Sequence, residues 1–196
     1  MIFETARGQA IPTLTQVKEE LRKLTVRSRR RRVYMTFLLS FSITFTGGLL
    51  ILLLFLPVLE VSGSSMEPTL QDGDILVLCK SGAIEAGEMC GMYAQGRLIL
   101  KRVIGLPGDV VNMDENGAVY LNGLPLKEPY ISRQAVGTCD MVFPFTVPED
   151  SLFVMGDHRE TSIDSRSSLI GCVRVNEVMG QVVARIWPPK SIGWVK

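Results

Sequence analysis

The hydrophobic pattern of this chain changes twice along its length. An uncharged, largely apolar run of 27 residues covers positions 33–59, VYMTFLLSFSITFTGGLLILLLFLPVL. A helix of about 20 apolar residues crosses the hydrocarbon core of a bilayer, which is roughly 30 Å thick. The run therefore predicts a transmembrane helix. It is longer than the apolar region of a cleavable signal peptide, about 7–15 residues, and its length also disfavours a helix buried in a soluble core.

A shorter helix is predicted ahead of this span. In TLTQVKEELRKL, positions 13–24, apolar residues recur at near-helical intervals, and Thr13 and Gln16 have the spacing of a capping box. We expect this segment to be a cytoplasmic helix near the membrane, without catalytic residues.

Beyond residue 59, short runs rich in Val, Ile and Leu alternate with Gly, Pro, Asn and Asp, a pattern typical of strands joined by turns. Asn116-Gly117 predicts a hairpin turn, and Pro107-Gly108 predicts a type II turn. The segment 60–196 is therefore predicted to be a mostly β domain, large enough to have its own core. Strands are predicted within 74–80, 88–94, 97–105, 109–113, 118–123, 151–157 and 178–187.

Charge divides the chain into the same three segments. Residues 1–32 carry nine Lys/Arg and three Asp/Glu, residues 33–59 carry none, and residues 60–196 carry twelve and seventeen. Basic residues that flank a span favour the cytoplasmic side. We therefore expect a cytoplasmic basic segment, a single transmembrane helix and an extracytoplasmic domain with these boundaries. The run Arg29–Arg32 adjoins the span, which favours contact with anionic lipid over nucleic acid.

Lys101 is predicted to lie on an apolar strand face. Side chains alternate along RLILKRVIG, positions 97–105, so Lys101 shares a face with Ile99 and Val103, while Arg102 lies on the other face. Loss of solvation disfavours the charged amine and lowers its pKa, and a neutral lysine can act as a general base. The alternative is a lysine that extends to solvent at the sheet edge. The alternation also predicts separate roles for the two adjacent cations.

The segment SGSSMEPTL, positions 62–70, raises the question of a serine nucleophile. Gly63 makes it flexible and Pro68 ends any helix at or before Glu67, so the segment is turn-like. A serine hydroxyl is a weak nucleophile until a neighbouring base activates it. Composition alone also fits a polar linker between the span and the domain.

A third polar segment, GDHRETSIDSR at positions 156–166, follows an apolar strand. It could supply His158 as a base oriented by an aspartate, as in serine–histidine peptidases. It could instead supply a hydroxyl that positions Lys101. A purely structural alternative is a loop held by Asp/Arg pairs, such as Asp164 with Arg166 or Asp157 with Arg159.

Three motifs decide between these alternatives when they are taken together. SSMEPTL, KRVIGLPGD and GDHRETSIDSR follow the predicted span in this order. They resemble the bacterial type I signal peptidases (leader peptidases, peptidase family S26), whose pattern is Ser-Met-x-Pro-Thr-Leu, Lys-Arg-x-x-Gly-x-Pro-Gly-Asp and Gly-Asp-Asn-Arg-x-x-Ser-x-Asp-Ser-Arg. The resemblance extends from the span to about Trp187 and is closest in form to the single-span Gram-positive members. It implies the β-rich catalytic fold of signal peptidases and LexA-like proteins.

The resemblance implies a role for each matched residue. Ser65 matches the nucleophile, Lys101 the general base, and Ser162 the hydroxyl that orients the lysine amine. The remaining matches are a structural ion pair near the site and a wall of a substrate pocket, formed by Asp164 with Arg166 and by Met66.

The resemblance implies a membrane-bound serine endopeptidase that removes signal peptides from exported preproteins after small residues at −1 and −3. Its expected partners are those signal peptides and the lipid bilayer, without nucleic acid, cofactor or metal; none of the four cysteines forms a CxxC pair. A non-catalytic signal-peptidase-like factor for pilus assembly is the alternative from another class, although such proteins are expected to lack the serine or the lysine. A self-cleaving repressor with the same dyad is disfavoured by the span. The oligomeric state stays open.

Two positions depart from the family pattern. His158, the single histidine of the chain, stands where the family often has Asn. A serine–histidine peptidase is therefore an alternative, but relatives of that type have histidine at the position of Lys101. Gly63 stands where many Gram-negative members have a serine hydroxyl in the oxyanion hole. The main-chain N–H of Ser65 is an expected oxyanion donor, and the second donor stays open.

Overall fold

The computed structural model describes residues 14–80 and 82–195. The chain divides into two compact units, Met1–Leu52 and Leu53–Lys196. The second unit is mostly β, as the sequence predicts, and it contains every residue assigned a catalytic role by the resemblance.

One long helix, α1 (Leu14–Phe55), contains both the predicted short helix and most of the predicted span. Within it, Thr25–Ile51 is long and apolar enough to cross a membrane, and none of this stretch is buried. The helix ends earlier than the apolar run because Pro57 disfavours helical geometry in the residue before it. Thr13, the predicted cap, lies outside the described residues.

Twelve strands follow in the described part of the chain. Strands β1, β2, β11, β3, β4, β9 and β10 form the larger sheet in that order, and β12 pairs with β11. The smaller sheet has the order β7-β6-β5-β8. The bounds are β1 Val58–Glu60, β2 Ile75–Cys79, β3 Met89–Ala94, β4 Arg97–Gly105, β5 Val110–Met113, β6 Val119–Leu121, β7 Leu124–Pro125, β8 Phe145–Thr146, β9 Ser151–Met155, β10 Val173–Arg174, β11 Val178–Trp187 and β12 Gly193–Trp194.

The seven predicted strands are confirmed, and the two turn predictions hold as well. Asn116-Gly117 lies in the turn of the antiparallel β5–β6 hairpin, with Gly117 at φ +84°. In the turn before β5, the Asp109 N–H donates to the Leu106 carbonyl at 3.0 Å and Gly108 has φ +85°, as a type II turn requires.

Strand β4 is the centre of the second unit. It pairs with β3 on one side and β9 on the other, and its second half is buried on both faces. Val103 packs in an apolar cluster with β3 and β9, while Ile104 packs in a second cluster with the smaller sheet. Because both faces are covered, the side chains of Lys101 and Arg102 are held away from water.

Candidate active site

Lys101 is buried, and only 5% of the residue's surface is exposed. Its Nζ donates a hydrogen bond to Ser162 Oγ at 3.1 Å. Burial lowers the pKa of the Lys101 amine, and Arg166 lowers it further, while Asp164 and Asp157 oppose the shift. The prediction of a desolvated lysine on an apolar strand face is therefore confirmed, and the alternative of a lysine that reaches solvent is wrong.

Arg102 points away from Lys101 and has a separate set of contacts. Its Nε and Nη2 donate to the two carboxylate oxygens of Asp157 at 2.9 and 2.7 Å, and its guanidinium lies 3.9 Å from the centre of the Tyr130 ring. The suggested pair of Asp157 with Arg159 is wrong, because Arg159 pairs with Glu128. Sequence spacing favoured a near partner, whereas strand β4 brings a distant arginine to Asp157.

Ser65 and Lys101 line one pocket, which we call the substrate cleft. It has a volume of about 150 Å³, and Met66 also contributes to its wall. One side comes from residues 59–62, at and after β1, and the other from residues 98–101 of β4. Ser65 follows the first side directly, since it lies in the connection between β1 and β2. The cleft thus brings the predicted nucleophile and the predicted base to the same small space.

Gly156 is the point at which the segments of Ser65 and Ser162 meet. A Cβ added to Gly156 would lie 2.5 Å from the Ser65 carbonyl oxygen and 2.6 Å from Ser162 Cβ. His158 adds a hydrogen bond between the same two segments, since its main-chain N–H donates to the Ser65 carbonyl at 3.1 Å. Sequence reasoning missed Gly156 as a site residue, although its place at the start of GDHRETSIDSR was visible.

We expect Gly156→Ala to reduce kcat by about ten- to a hundredfold, since overpacking against fixed atoms forces shifts in its surroundings. Either Ser162 or the Ser65 backbone must move to admit the methyl group. Gly123→Ala is a control for the added methyl, because nothing lies within 4 Å of a Cβ there and its φ of +79° makes that change the harder one for the backbone. Steady-state cleavage of a peptide substrate measures both variants, and equal kcat values for Gly156→Ala and wild type would contradict the assignment.

Asp164 and Arg166 form the predicted ion pair beneath the site, and both are fully buried. Arg166 Nε and Nη2 donate to the two carboxylate oxygens at 2.9 and 2.8 Å. Burial raises the pKa of Asp164, but the hydrogen bonds and charge of Arg166 outweigh it, and the net pKa lies below the ordinary value. Asp164 also accepts the Gly156 N–H at 3.0 Å, which ties the ion pair to the Ser65 contact.

The structure shows the hydrogen-bond contacts of the two residues that depart from the family pattern. Gly63 has φ +88°, and its N–H donates to Asp72 Oδ1 at 2.7 Å, so that N–H is already engaged within the protein. His158 Nδ1 is buried and has no hydrogen-bond partner in the described part of the chain. Within the described residues no hydrogen bond joins the imidazole to Asp157 or Asp164, whose carboxylates bind arginines instead. The serine–histidine arrangement is therefore not formed.

Comparison with known proteins gives consistent matches across this region. The family model described as "Signal peptidase, peptidase S26" matches residues 31–187. Signal peptidase I of Bacillus licheniformis is 40% identical over 141 residues, covering 65% of this chain and 74% of the relative. Signal peptidase I of Streptococcus pneumoniae is 30% identical over 173 residues, covering 68% and 83%.

A crystal structure of a signal peptidase I from Enterococcus faecalis is 28% identical, with a TM-score of 0.42, and covers 51% of this chain and 97% of that one. The family assignment does not depend on this partial likeness. It follows from the match over residues 31–187, which spans the Ser65, Lys101 and Ser162 segments, and from the curated relatives. On these grounds the chain belongs to the signal peptidase family, peptidase S26.

Proposed function

We propose that this protein is a membrane signal peptidase I, a serine endopeptidase that removes signal peptides from exported preproteins after small residues at −1 and −3. The observation that carries the proposal is the buried Lys101 amine, bonded to Ser162 Oγ in the cleft that Ser65 also lines. The non-catalytic alternative has no support, because both Ser65 and Lys101 are present and share this cleft. Relatives at 30–40% identity are named signal peptidase I.

The chemistry proceeds in two halves. Ser65 Oγ attacks the scissile carbonyl carbon while neutral Lys101 Nζ takes the hydroxyl proton. The C–N bond then breaks, the lysine returns the proton to the leaving amine, and the new N-terminus departs from an acyl-enzyme. Water attacks the ester with the same lysine as base, and the serine hydroxyl is regenerated. Ser162 holds the amine in place, and the Ser65 N–H stabilises the oxyanion.

The placement relative to the membrane is also a proposal. The basic residues before the span favour a cytoplasmic N-terminus, so residues 1–32 lie inside, residues 33–59 cross once, and the domain 60–196 lies outside. Trp187 and Trp194 support a lipid contact for that domain, since they are 51% and 81% exposed and indole rings favour the bilayer interface. A signal peptide lies across the same membrane, so its cleavage site emerges near the catalytic domain.

Mass spectrometry of a cleaved preprotein tests this function. The purified full-length chain in detergent micelles should cut a preprotein with Ala at −1 and −3 after the −1 residue. A matched preprotein with Phe at −1 should remain uncut, because a cleft of about 150 Å³ lined by Leu98, Ile99 and Met66 leaves little room for a large ring. Ser65→Ala serves as the inactive reference. Cleavage by that variant, or cleavage elsewhere in the substrate, would refute the proposal.

The pH dependence of cleavage should report the lysine. Only the neutral amine accepts a proton, and its pKa is lowered from 10.5, so activity should persist below the ordinary titration range of lysine. As pH falls through the lowered pKa, kcat/KM should decline, by up to about tenfold per pH unit. Initial rates measured between pH 5 and 10 test this, in conditions where the protein stays folded. An acid limb centred at the ordinary lysine pKa would contradict the role of burial.

A further inference from the structure

A second pocket of about 400 Å³ lies against the turn that follows Ser65. We call it the distal pocket. It shares no lining residue with the cleft. Its walls are formed by Glu67, Pro68, Gln71, Ser132, Arg133 and the segment 157–160.

One residue that lines the distal pocket, His158, forms main-chain hydrogen bonds to both catalytic segments. The His158 N–H donates to the Ser65 carbonyl at 3.1 Å, and the His158 carbonyl accepts the Ser162 N–H at 3.0 Å. In sequence the cleft uses residues 59–62 before Ser65, whereas the distal pocket uses residues from Glu67 onward. The two pockets therefore adjoin one turn, the cleft using Ser65 and Met66 and the distal pocket using the residues that follow them.

Most of the charge around the distal pocket is already paired. Asp157 binds Arg102 and Arg159 binds Glu128, while Arg133 and Glu160 form an exposed pair at 3.0 Å. Glu67 is different, since it takes part in none of the ion pairs found within residues 14–80 and 82–195. Its carboxylate is thus a charge that a ligand can meet.

His158 adds a second unmet polar group. Its Nδ1 is buried without a hydrogen-bond partner in the described residues. Buried polar atoms in native proteins are usually satisfied by protein groups or an ordered water, so an unsatisfied one calls for an explanation. Because that nitrogen is closed to solvent, the polar group that the pocket offers to a ligand is the unpaired Glu67 carboxylate, next to the nucleophile turn, and it indicates a polar peptide as the ligand.

The cleft and the distal pocket suit different parts of the substrate, the residues before and the residues after the scissile bond. The cleft walls include Leu98, Ile99, Leu100 and Met66, which suit the small apolar residues before the cut. The residues after the cut belong to the mature protein and must leave the nucleophile on its opposite side. We propose that the distal pocket binds the first residues of the mature protein, with Glu67 favouring basic over acidic side chains there. The inference rests on the proposed function.

A pair of preproteins tests the inference by competition. The two are identical through the −1 residue and differ only at the second mature residue, which is Lys in one and Glu in the other. Wild-type enzyme should cleave the Lys substrate with a kcat/KM about three- to fivefold higher, the range of an accessible charge pair. Glu67→Lys should reverse this preference, and Glu67→Gln should bring the ratio close to 1. The wild-type preference should weaken at high salt, because salt screens accessible charges.

Glu115→Lys is the matched control. It makes the same change in net charge at an exposed residue of the β5–β6 turn and should retain the wild-type ratio. A ratio that is equal in wild type and Glu67→Gln, with both substrates cleaved, would overturn the inference but leave the proposed function intact. Failure of the wild type to cleave either substrate would instead count against the function.

Discussion

Replacement of Lys101 by Met is expected to abolish cleavage while the domain stays folded. Loss of a base that acts as a unit with its nucleophile should lower kcat/KM by at least about 10³- to 10⁴-fold. Met has a similar length and no charge, so it suits the face between Ile99 and Val103 that already excludes water. We expect the free energy of unfolding to change by less than about 1.5 kcal/mol, the usual range for volume-conserving core changes. Cleavage kinetics and urea unfolding of the same preparation separate the two effects.

Two further variants distinguish a base from a cation at this position. Lys101→Arg should be as inactive as Lys101→Met, because a guanidinium is not deprotonated in proteins. Lys127→Met, at an exposed position, should retain wild-type rates. Substantial activity in Lys101→Arg would indicate that position 101 needs positive charge, and the proposed proton transfer would be wrong.

Arg166→Met is expected to destabilise the catalytic domain severely. The side chain is fully buried and, besides its contacts to Asp164, donates to the carbonyls of Val136 at 2.8 Å and Arg159 at 3.0 Å. Its removal leaves the Asp164 carboxylate buried without a counter-charge, which typically costs about 3–5 kcal/mol. For a domain of this size the loss corresponds to a fall in Tm of roughly 10–17 °C. Thermal unfolding of the full-length protein followed by near-UV circular dichroism measures it.

A second substitution shows whether the cost arises from charge. Asp164→Asn combined with Arg166→Met removes both charges, so the double variant should be more stable than Arg166→Met alone. Arg133→Met breaks an ion pair whose arginine is 80% exposed, and it should cost about 1 kcal/mol or less. Equal losses for Arg133→Met and Arg166→Met would refute the importance of burial.

Low pH should weaken the same pair in the wild type. The pKa of Asp164 is lowered in the folded protein. Its contribution to stability is therefore present above the pKa of the unfolded chain and is lost as pH falls through the lowered folded value.

The sequence predicted the elements whose signals are local. Strand β4 was placed at its observed bounds because alternation, β-branched residues and the following Pro-Gly turn agree. The strands β7, β8, β10 and β12 were missed since each has two residues, too few to show a period. The end of α1 was placed too late, because Pro57 stops the helix while the apolar run continues into β1.

The site was predictable where the chemistry depends on strand alternation, as for Lys101 and its separation from Arg102. Contacts between distant segments were not. Arg102 with Asp157, and Arg159 with Glu128, join residues 55 and 31 positions apart, and no local pattern encodes these pairings. The place of Gly156 between Ser65 and Ser162 likewise depends on tertiary packing. The distal pocket was invisible for the same reason, since three separate segments form its walls.

The position of β11 in the larger sheet has a consequence for the order in which the sheet can assemble. This strand lies between β2, which follows the Ser65 turn, and β3, which pairs with the strand of Lys101. Its residues, Val178–Trp187, follow the segments of Ser65, Lys101 and Ser162 along the chain. The parts of the sheet that follow the proposed nucleophile and carry the proposed base are therefore joined in the sheet only after β11 has been synthesised. Completion of the larger sheet thus depends on a segment that contains neither dyad residue.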